Sequence, residues 1–361
     1  MRWRFERPVQ SGTPARIGLT LLAVVIGLLI GAAIIAAGGI DPLVAYSTML
    51  ASSFGSLQGI EETLAQATPL MLTGLAVALP VRMGLWNIGG EGQLTVGAIC
   101  ATGIALYVPV PDALLPLAMV GGAILAGAGW AFVAALPRAR FGINEIIVSL
   151  FLNYIAVQLM SYLVNGPWGD RAAIGFAYTR AIPSAAQLPM LSPALSIGIL
   201  MALSTAVLVA WMLEHTPGGL TIQLVGSGAQ LSRYLRLPVR RLMVAGFSAG
   251  GAIAGLAGAI QIMGVTQRLE PGISSNYGYS GILVAFLAGN SVGGVVAGSV
   301  IYGALIVGGL ALQGSGVSFN ISIVIQALIV LSLLIGQVLA RHRLTRGRVT
   351  AVISATGATD K

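Results

Sequence analysis

Polar residues that interrupt apolar stretches are the candidates for chemistry in this sequence. Asn87, Glu91 and Gln93 lie close together in a segment that also holds three glycines. An ionised side chain in the hydrocarbon region of a membrane costs about 2.5–3.5 kcal/mol, so it usually faces a cavity or a polar partner. We therefore take these three residues as candidates for lining a polar path. The alternative for Glu91 is structural, as a partner for free backbone amides or as a headgroup-layer charge balanced by Arg82.

A second polar group opens a later apolar stretch. Asn144 and Glu145 begin it, and a carboxylate in that place complements the positive end of a helix dipole. These two residues are predicted to cap a helix. Asn153 follows eight residues after Glu145, a spacing that returns to the same helical face. Asn153 is therefore a further candidate for the path.

A third group surrounds an unusually short apolar stretch at 280–289, within the predicted span 279–290. Tyr277, Tyr279 and Asn290 border it. Aromatic rings beside a hydrophilic path can stack on a sugar or a base. The alternative is that the two tyrosines belong to the aromatic belt at a membrane interface.

Several catalytic signatures are absent from the sequence. No GxxxxGK[ST] phosphate loop and no GxSxG nucleophile elbow occur. His215 and His342 are the only histidines, and Cys100 is the only cysteine, so neither a zinc-type ligand cluster nor a disulfide framework is available. The sequence predicts a chain that is not an enzyme and that binds no cofactor or metal itself.

The composition is that of a membrane protein. Of the 361 residues, 56% are hydrophobic and 8% charged, whereas soluble domains carry about 25% charged residues. The net charge of +8 comes almost wholly from arginine, in short loops between apolar runs, which argues for topology rather than nucleic acid as its cause. The first apolar run, from about residue 17 to 37, exceeds the core of a cleaved signal peptide and is predicted to stay as a span.

The predicted fold is an all-α polytopic membrane protein in one domain, 1–361, with about ten spans and both termini in the cytoplasm. The tails at 1–16 and 341–361 and the loop at 214–241 then lie inside. Together with Arg82, Arg138 and Arg140 they place fifteen arginines inside, leaving three outside. Segments 41–65 and 165–191 lie outside, either as a platform for a partner protein or as plain connections. The predicted spans are 17–38, 64–82, 92–108, 114–136, 143–164, 195–213, 242–263, 279–290, 294–312 and 320–340.

Two abnormal spans suggest an internal repeat. The glycine-rich start of the third span and the short eighth span occupy corresponding places in the two halves of the chain. With five spans in each half, such a repeat is inverted in the membrane, and broken spans at matching positions indicate a transport path. Glycine and alanine rows at 250–258 and 297–309 are predicted to be helix-packing surfaces.

The loop at 214–241 combines four arginines with the start of a span rich in small residues. Within it, 228–237 is predicted to form a short helix along the cytoplasmic surface. A basic loop that only sets topology is the alternative, but topology does not require the specific order of Gly226, Ser227, Arg233 and Tyr234.

The run Val225-Gly226-Ser227, then Arg233-Tyr234, then the small-residue helix at 248–260, resembles the coupling region of ABC-importer permeases. The branch in question serves branched-chain amino acids, ribose-type sugars and nucleosides. The stretches at 84–93 and 144–145 resemble its nucleoside-type members, so the resemblance covers nearly the whole chain. Gly-Ala stands at 228–229 in place of Asn-Pro, and Leu-Ser at 231–232 in place of two alanines.

The resemblance implies a permease subunit in a bacterial inner membrane that carries a nucleoside or simple sugar. It implies a cytosolic ATP-binding cassette, which holds the ATP and Mg, a second homologous permease and an extracytoplasmic substrate-binding lipoprotein. The residues that would dock on the cassette are Gly226, Ser227, Gln230, Arg233, Tyr234 and Arg236.

Three other functions stay open at this point. A branched-chain amino acid permease has the same family features. A secondary transporter would couple uptake to protons through Glu91 or Glu145. A membrane-embedded enzyme would need a nucleophile or metal cleft that the sequence does not assemble.

Overall fold

The computed structural model describes residues 2–6, 13–170, 172, 175–289, 291–314, 316–341 and 343–347. Almost all of the regular structure is helical. In chain order the elements are β1 (Arg2–Glu6), α1 (Thr13–Ala37), α2 (Pro42–Phe54), α3 (Leu57–Val81), α4 (Gly90–Tyr107), α5 (Leu115–Phe141), α6 (Glu145–Asn165), β2 (Met190–Ser192), β3 (Leu195–Ser196), α7 (Gly198–His215), α8 (Pro217–Gly226), α9 (Ala229–Tyr234), α10 (Val239–Gln261), α11 (Tyr277–Leu287), α12 (Val292–Gly314), α13 (Phe319–Arg341) and β4 (Arg343–Gly347).

The chain divides into two compact units. The smaller unit joins Met1–Pro42 to Ile323–Lys361, and the larger is Leu43–Ser322. In the smaller unit β1 pairs antiparallel with β4, so the described ends of the chain lie side by side. A methyl group at Gly27 of α1 would lie 1.9 Å from the hydroxyl of Ser332, so α1 packs closely on α13.

A helix overlaps each of the predicted spans, but the helices differ in length. Among the described residues seven are long and apolar enough to cross a membrane alone, or eight if α1 and α2 count as one span. The chain is therefore an all-α polytopic membrane protein. Helix α3 begins at Leu57, earlier than predicted, because Ser56 accepts a hydrogen bond from the backbone N–H of Gly59 at 3.0 Å and caps the helix.

Small residues allow the helices of the larger unit to approach closely. Helix α10 packs along α5 and α4, and α12 packs along α3. A methyl group at Gly251 would lie 2.4 Å from the carbonyl oxygen of Gly127, and one at Gly303 would lie 2.6 Å from a carbonyl oxygen of α3. The prediction that 250–258 and 297–309 are packing surfaces is confirmed.

Three connections in the larger unit have no long helix. The segment 166–197 contains a 3-10 turn and the small β2–β3 hairpin, in line with the prediction that it does not span. Linker 82–89 joins α3 to α4. Helix α10 continues as a π-helical turn over Ile262–Thr266, and linker 267–276 then leads into α11.

Candidate transport junction

Helix α4 and the short helix α11 meet at their N-terminal ends. A methyl group at Gly278 would lie 2.1 Å from the backbone nitrogen of Glu91 and 2.4 Å from its Cα. Only glycine permits that contact, because a Cβ would overlap the backbone of the opposite helix. We call Gly90, Glu91, Tyr277 and Gly278 the junction. The positive ends of two helix dipoles converge there.

The carboxylate of Glu91 sits between these two helix ends and is 4% exposed. One oxygen accepts a hydrogen bond from the Ser274 hydroxyl, and the other accepts one from the backbone N–H of Gly278 at 2.9 Å. Asn276, which precedes α11, provides no side-chain cap, so Glu91 does this from another helix. Of the two structural alternatives for Glu91, the geometry favours the partner for free amides.

A pair of amide side chains holds the chain just before α4. Asn87 and Gln93 exchange hydrogen bonds of 3.0 and 2.9 Å between their side chains, and both are buried. The Asn87 amide also donates to the carbonyl of Ala76 at 3.1 Å, and its oxygen accepts from the N–H of Gly89 at 3.1 Å. The 82–89 linker therefore returns alongside α3 before α4 begins.

Asn153 connects α6 to the junction. Its side-chain oxygen accepts from the backbone N–H of Gly92 at 2.9 Å, which satisfies a free donor in the first turn of α4. Its amide donates to the carbonyl of Ile88 at 2.9 Å and to the hydroxyl of Tyr279 at 3.3 Å. Asn153 is buried, while Tyr279 is half-buried.

Tyr277 anchors the other side of the junction. Its hydroxyl donates to the side-chain oxygen of Gln66, and its carbonyl accepts from the hydroxyl of Thr73 at 2.9 Å. The side chain is 5% exposed, so this tyrosine packs inside the protein rather than on an exposed aromatic belt. Both Gln66 and Thr73 belong to α3.

The structure brings together six of the seven residues predicted to line the path. Asn290 lies outside the described residues. Most of the six bind helix ends and linkers, and Tyr279 is the one whose side chain is only half-buried. The six are Asn87, Glu91, Gln93, Asn153, Tyr277 and Tyr279.

Glu145 clamps the 82–89 linker from the opposite side. One carboxylate oxygen accepts from the backbone N–H of Trp86 at 3.2 Å, and the other lies 3.2 Å from the Nε of Arg138. Asn144 accepts from the N–H of Ile146 at 2.9 Å and caps α6, so the predicted capping role is confirmed for Asn144, whereas the Glu145 carboxylate contacts the linker and Arg138 instead. The linker is thus held at Trp86 and, through Asn87, beside α3.

The loop at 214–241 forms two short helices rather than one. The predicted helix at 228–237 is present but shorter, because α9 ends at Tyr234 and Arg236 adopts a left-handed backbone. Helix α8 precedes it and was not predicted, although Thr216-Pro217 is a typical helix start. Ser227, Gln230, Arg233, Tyr234 and Arg236 are all exposed, Tyr234 by 84%.

The end of α8 presses against the start of the 82–89 linker. A methyl group at Gly226 would lie 1.8 Å from the carbonyl oxygen of Arg82. A cavity of about 360 Å³ adjoins this contact and is lined by Arg82, Gln223, Gly226, Ser227, Gly289 and Ser291. Helix α8 is therefore in direct contact with the linker that ends at the junction.

Comparison with known protein families identifies the family to which this chain belongs. Residues 59–337 match the family described as "Branched-chain amino acid transport system / permease component". The chain belongs to this permease family. It is accordingly a multi-pass membrane protein of the plasma membrane, and the resemblance seen in the sequence is confirmed.

Three named permeases are similar to this one over most of their length. A glucose ABC transporter permease protein of Haloferax volcanii is 34% identical over 90% of this chain and 89% of its own. A guanosine ABC transporter permease protein of Bacillus subtilis is 34% identical over 76% of this chain and 80% of its own. A nucleoside ABC transporter permease protein of Lactococcus lactis is 31% identical over 76% and 79%.

In this permease a second set of contacts reaches the junction through the 267–276 linker. The segment 166–197 lies against the chain that leads into α11. Thr179 donates its N–H to the carbonyl of Leu269 at 3.0 Å, and its hydroxyl accepts from the Leu269 N–H at 3.1 Å. The N–H groups of Ile182 and Leu188 donate to the carbonyls of Gln267 and Met263, both at 2.9 Å.

Some residues of the permease site escaped the sequence analysis. Ser274 and Gly278 hold the Glu91 carboxylate but lie 183 and 187 residues away from it. Their local sequence resembles an ordinary polar turn. The useful signal was the glycine between two tyrosines at 277–279, because a glycine that opens a short helix indicates close backbone approach.

Proposed function

We propose that this chain is the membrane-spanning permease subunit of an ATP-driven importer for a nucleoside or a simple sugar. The observation that carries the proposal is the junction. The 82–89 linker connects it to α8, and the 267–276 linker connects it to segment 166–197, so two different surfaces of the protein are linked to one buried site. Relatives named for guanosine, nucleoside and glucose transport support the substrate class. The half-buried ring of Tyr279 beside the Asn153 amide suits a base or sugar that stacks and accepts hydrogen bonds.

The proposed topology has ten crossings in a single permease domain, with 1–16, 214–241 and 341–361 in the cytoplasm. The distribution of arginines supports this orientation. The pairing of β1 with β4 supports ends on one side of the membrane. In this topology α11, with 11 residues, crosses only part of the bilayer, and the linker that leads into it completes the crossing.

The proposed architecture is an inverted repeat in which α3, α4 and α5 correspond to α10, α11 and α12. The packing pattern supports it. If each helix is replaced by its counterpart in the other half, the packing of α10 along α5 predicts that α3 packs along α12, and this contact is present. In the same way, the packing of α4 along α10 predicts that α11 packs along α3, and this contact is also present. The junction would then lie on the axis that relates the halves.

The proposed mechanism moves the two linkers in turn. Closure of an ATP-bound cassette on α9 would shift α8, and Gly226 would pass the movement to Arg82 and the 82–89 linker. On the other face, a substrate-binding protein that presses on 166–197 would move 263–269 and hence α11. Because both linkers end at the Glu91 carboxylate, the opening toward one side is coupled to closure toward the other.

The partners are part of the proposal. A cytosolic cassette subunit would bind and hydrolyse ATP with Mg, and this permease would pair with a second homologous one beneath the binding protein. The exposed Tyr234 supports a docked cassette, since an aromatic side chain exposed by 84% typically anchors an interface.

Co-purification tests the proposal. The tagged permease is solubilised gently from its native membrane, alongside a variant carrying Arg233→Ala and Tyr234→Ala. We expect a nucleotide-binding cassette to accompany the unaltered chain and to be lost from the variant. A matched control is Gln58→Ala with Tyr107→Ala, outside the α8–α9 region, which should keep the cassette. A permease that purifies without any cassette would overturn the proposal.

A further inference from the structure

A second cavity lies where the last turn of α5 meets the first turn of α10. It has a volume of about 490 Å³ and plays no part in the junction. Its walls combine three arginines from two helices with apolar side chains. The lining residues are Leu136, Ala139, Arg140, Arg240, Arg241, Val244 and Ala245.

The three arginines carry charge that the described part of the chain does not neutralise. Arg138, two residues before Arg140, has its partner in Glu145 at 3.2 Å. Among the described residues no carboxylate comes within 4 Å of Arg140, Arg240 or Arg241. Three cations around one cavity repel each other, so an anion placed there lowers the energy.

The helix start adds to this positive potential. Arg240 and Arg241 occupy the first turn of α10, where the helix dipole is itself positive and basic side chains are unfavourable. The preceding Pro238 provides no side-chain hydrogen bond to the free N–H groups of that turn. An anion would serve both the arginines and the helix end.

The remaining lining suits a hydrocarbon chain rather than a soluble ion. Leu136 and Val244 form apolar walls beside the arginines. Further from Arg140 along α5, Phe132 and Val133 are 44% and 48% exposed. A molecule with an anionic head and apolar tails could contact both the arginines and the apolar side chains beyond them, whereas a free phosphate would contact only the arginines.

We propose that this cavity binds one anionic phospholipid, with its phosphate at Arg140, Arg240 and Arg241 and its acyl chains along Leu136 and toward Phe132. The proposed topology is needed only to say which leaflet of the membrane holds this lipid, and in that topology it is the cytoplasmic leaflet. Because α10 directly follows α9, the lipid would also hold the cassette-docking helix in place. Basic pockets between membrane helices bind anionic headgroups in this way.

Native mass spectrometry of the full permease tests the site without cassette or substrate. The permease is released from nanodiscs with equal amounts of phosphatidylglycerol and phosphatidylcholine of matched chains. We expect one retained phosphatidylglycerol at a preference of about 100-fold, since each arginine near an anionic headgroup contributes roughly fivefold. The triple variant Arg140→Gln, Arg240→Gln and Arg241→Gln should lose this preference.

Two further variants and one competitor make the test specific. The triple variant Arg4→Gln, Arg343→Gln and Arg346→Gln removes equal charge from β1 and β4 and should keep the lipid. Replacement of the three cavity arginines by lysine keeps the charge and should retain most of the preference. The proposal would be overturned if all variants retained phosphatidylglycerol equally, or if the β1–β4 control lost it. It would also be overturned if inorganic phosphate displaced the lipid. A separate co-purification in neutral lipid completes the test. Loss of the cassette from the cavity variant there would also overturn the proposal, because the arginines would then act without an anionic lipid.

Discussion

Gly278 is the residue at which the junction is most sensitive to volume. Its replacement by alanine places a methyl group 2.1 Å from the Glu91 nitrogen, so α4 and α11 must separate. Overpacking of this kind costs about 1–3 kcal/mol. We expect Gly278→Ala to lower the thermal unfolding midpoint of the solubilised permease and to reduce uptake strongly.

Gly121→Ala is the matched control. Gly121 lies in α5, and no atom outside the adjoining backbone of α5 lies within 4 Å of the methyl group that alanine would add there. Its uptake should equal that of the unaltered permease, and its unfolding midpoint should not fall, because alanine favours a helix more than glycine does. If the Gly278 and Gly121 variants behave alike, α4 and α11 do not meet as described.

Glu91→Gln tests the charge at the junction. Glutamine keeps an acceptor for the Gly278 N–H but presents an NH2 group to the Ser274 hydroxyl, which must then accept instead of donate, and both hydrogen bonds lose their charge. A hydrogen bond to a charged group contributes about 1.5–3 kcal/mol. We expect a lower unfolding midpoint and slower uptake that still depends on ATP. Unchanged stability with complete loss of uptake would instead assign Glu91 to proton or substrate handling.

The polar residues of the junction were predictable from the sequence, but their partners were not. Asn87, Glu91 and Gln93 stand out because polar groups are costly in apolar spans. Their hydrogen bonds depend on which helices pack together, and the Glu91 partners come from the other half of the chain. The belt interpretation of Tyr277 failed for the same reason, since its burial results from α3 packing on α11.

Helix α8 is the element through which movement would pass to the junction. We expect Gly226→Ala to force α8 away from Arg82, because the new methyl group would lie 1.8 Å from the Arg82 carbonyl oxygen. Although Gly226 is among the predicted docking residues, the cassette should still co-purify, because α9 is unaltered and the added methyl group would face Arg82. Uptake driven by ATP should fall roughly 5- to 150-fold, as a misfit of about 1–3 kcal/mol at this contact implies.

Gly218→Ala provides the control within the same helix. Its added methyl group would lie 3.6 Å from the Thr216 hydroxyl, an ordinary contact. ATP hydrolysis, cassette binding and uptake are measured in both variants. Full uptake by the Gly226 variant, or loss of uptake by the Gly218 variant, would rule out transmission through this contact.

The existence of the elements was predictable, whereas several boundaries were not. Long apolar runs mark the spans, and the glycines near α4 and the short run of α11 identified both as abnormal. The early start of α3 depends on the Ser56 cap, and the end of α9 depends on the left-handed Arg236. Such ends are decided by single hydrogen bonds and backbone angles, which hydrophobic periodicity does not encode.

For the whole molecule, the proposed topology places both chain ends in the cytoplasm. In a Cys100→Ala background, Phe5→Cys in β1 should react with a membrane-impermeant thiol reagent only after right-side-out vesicles are permeabilised. Arg180→Cys, in the exposed segment 166–197, should react without permeabilisation. Labelling of the Phe5→Cys variant in intact vesicles would contradict the cytoplasmic placement of β1 and, through their pairing, of β4.

At this scale the sequence predicted the polytopic class, because apolar length determines it, and the placement of arginines predicted the orientation. It indicated only the outline of the proposed repeat. The exchange of α5–α10 and α3–α12 packing involves different residues in each half, so similarity along the chain does not reveal it. The division into two compact units was also not evident from composition.

The energy source is the most direct test of the proposed function. Right-side-out vesicles that contain the permease with its co-purified partners are loaded with ATP or left without it. Uptake of labelled guanosine, with glucose in parallel, is then measured with and without an ionophore that collapses the proton gradient. We expect uptake that requires enclosed ATP and survives the ionophore. Uptake driven by a proton gradient in vesicles without ATP would contradict the importer and favour proton coupling through Glu91 or Glu145.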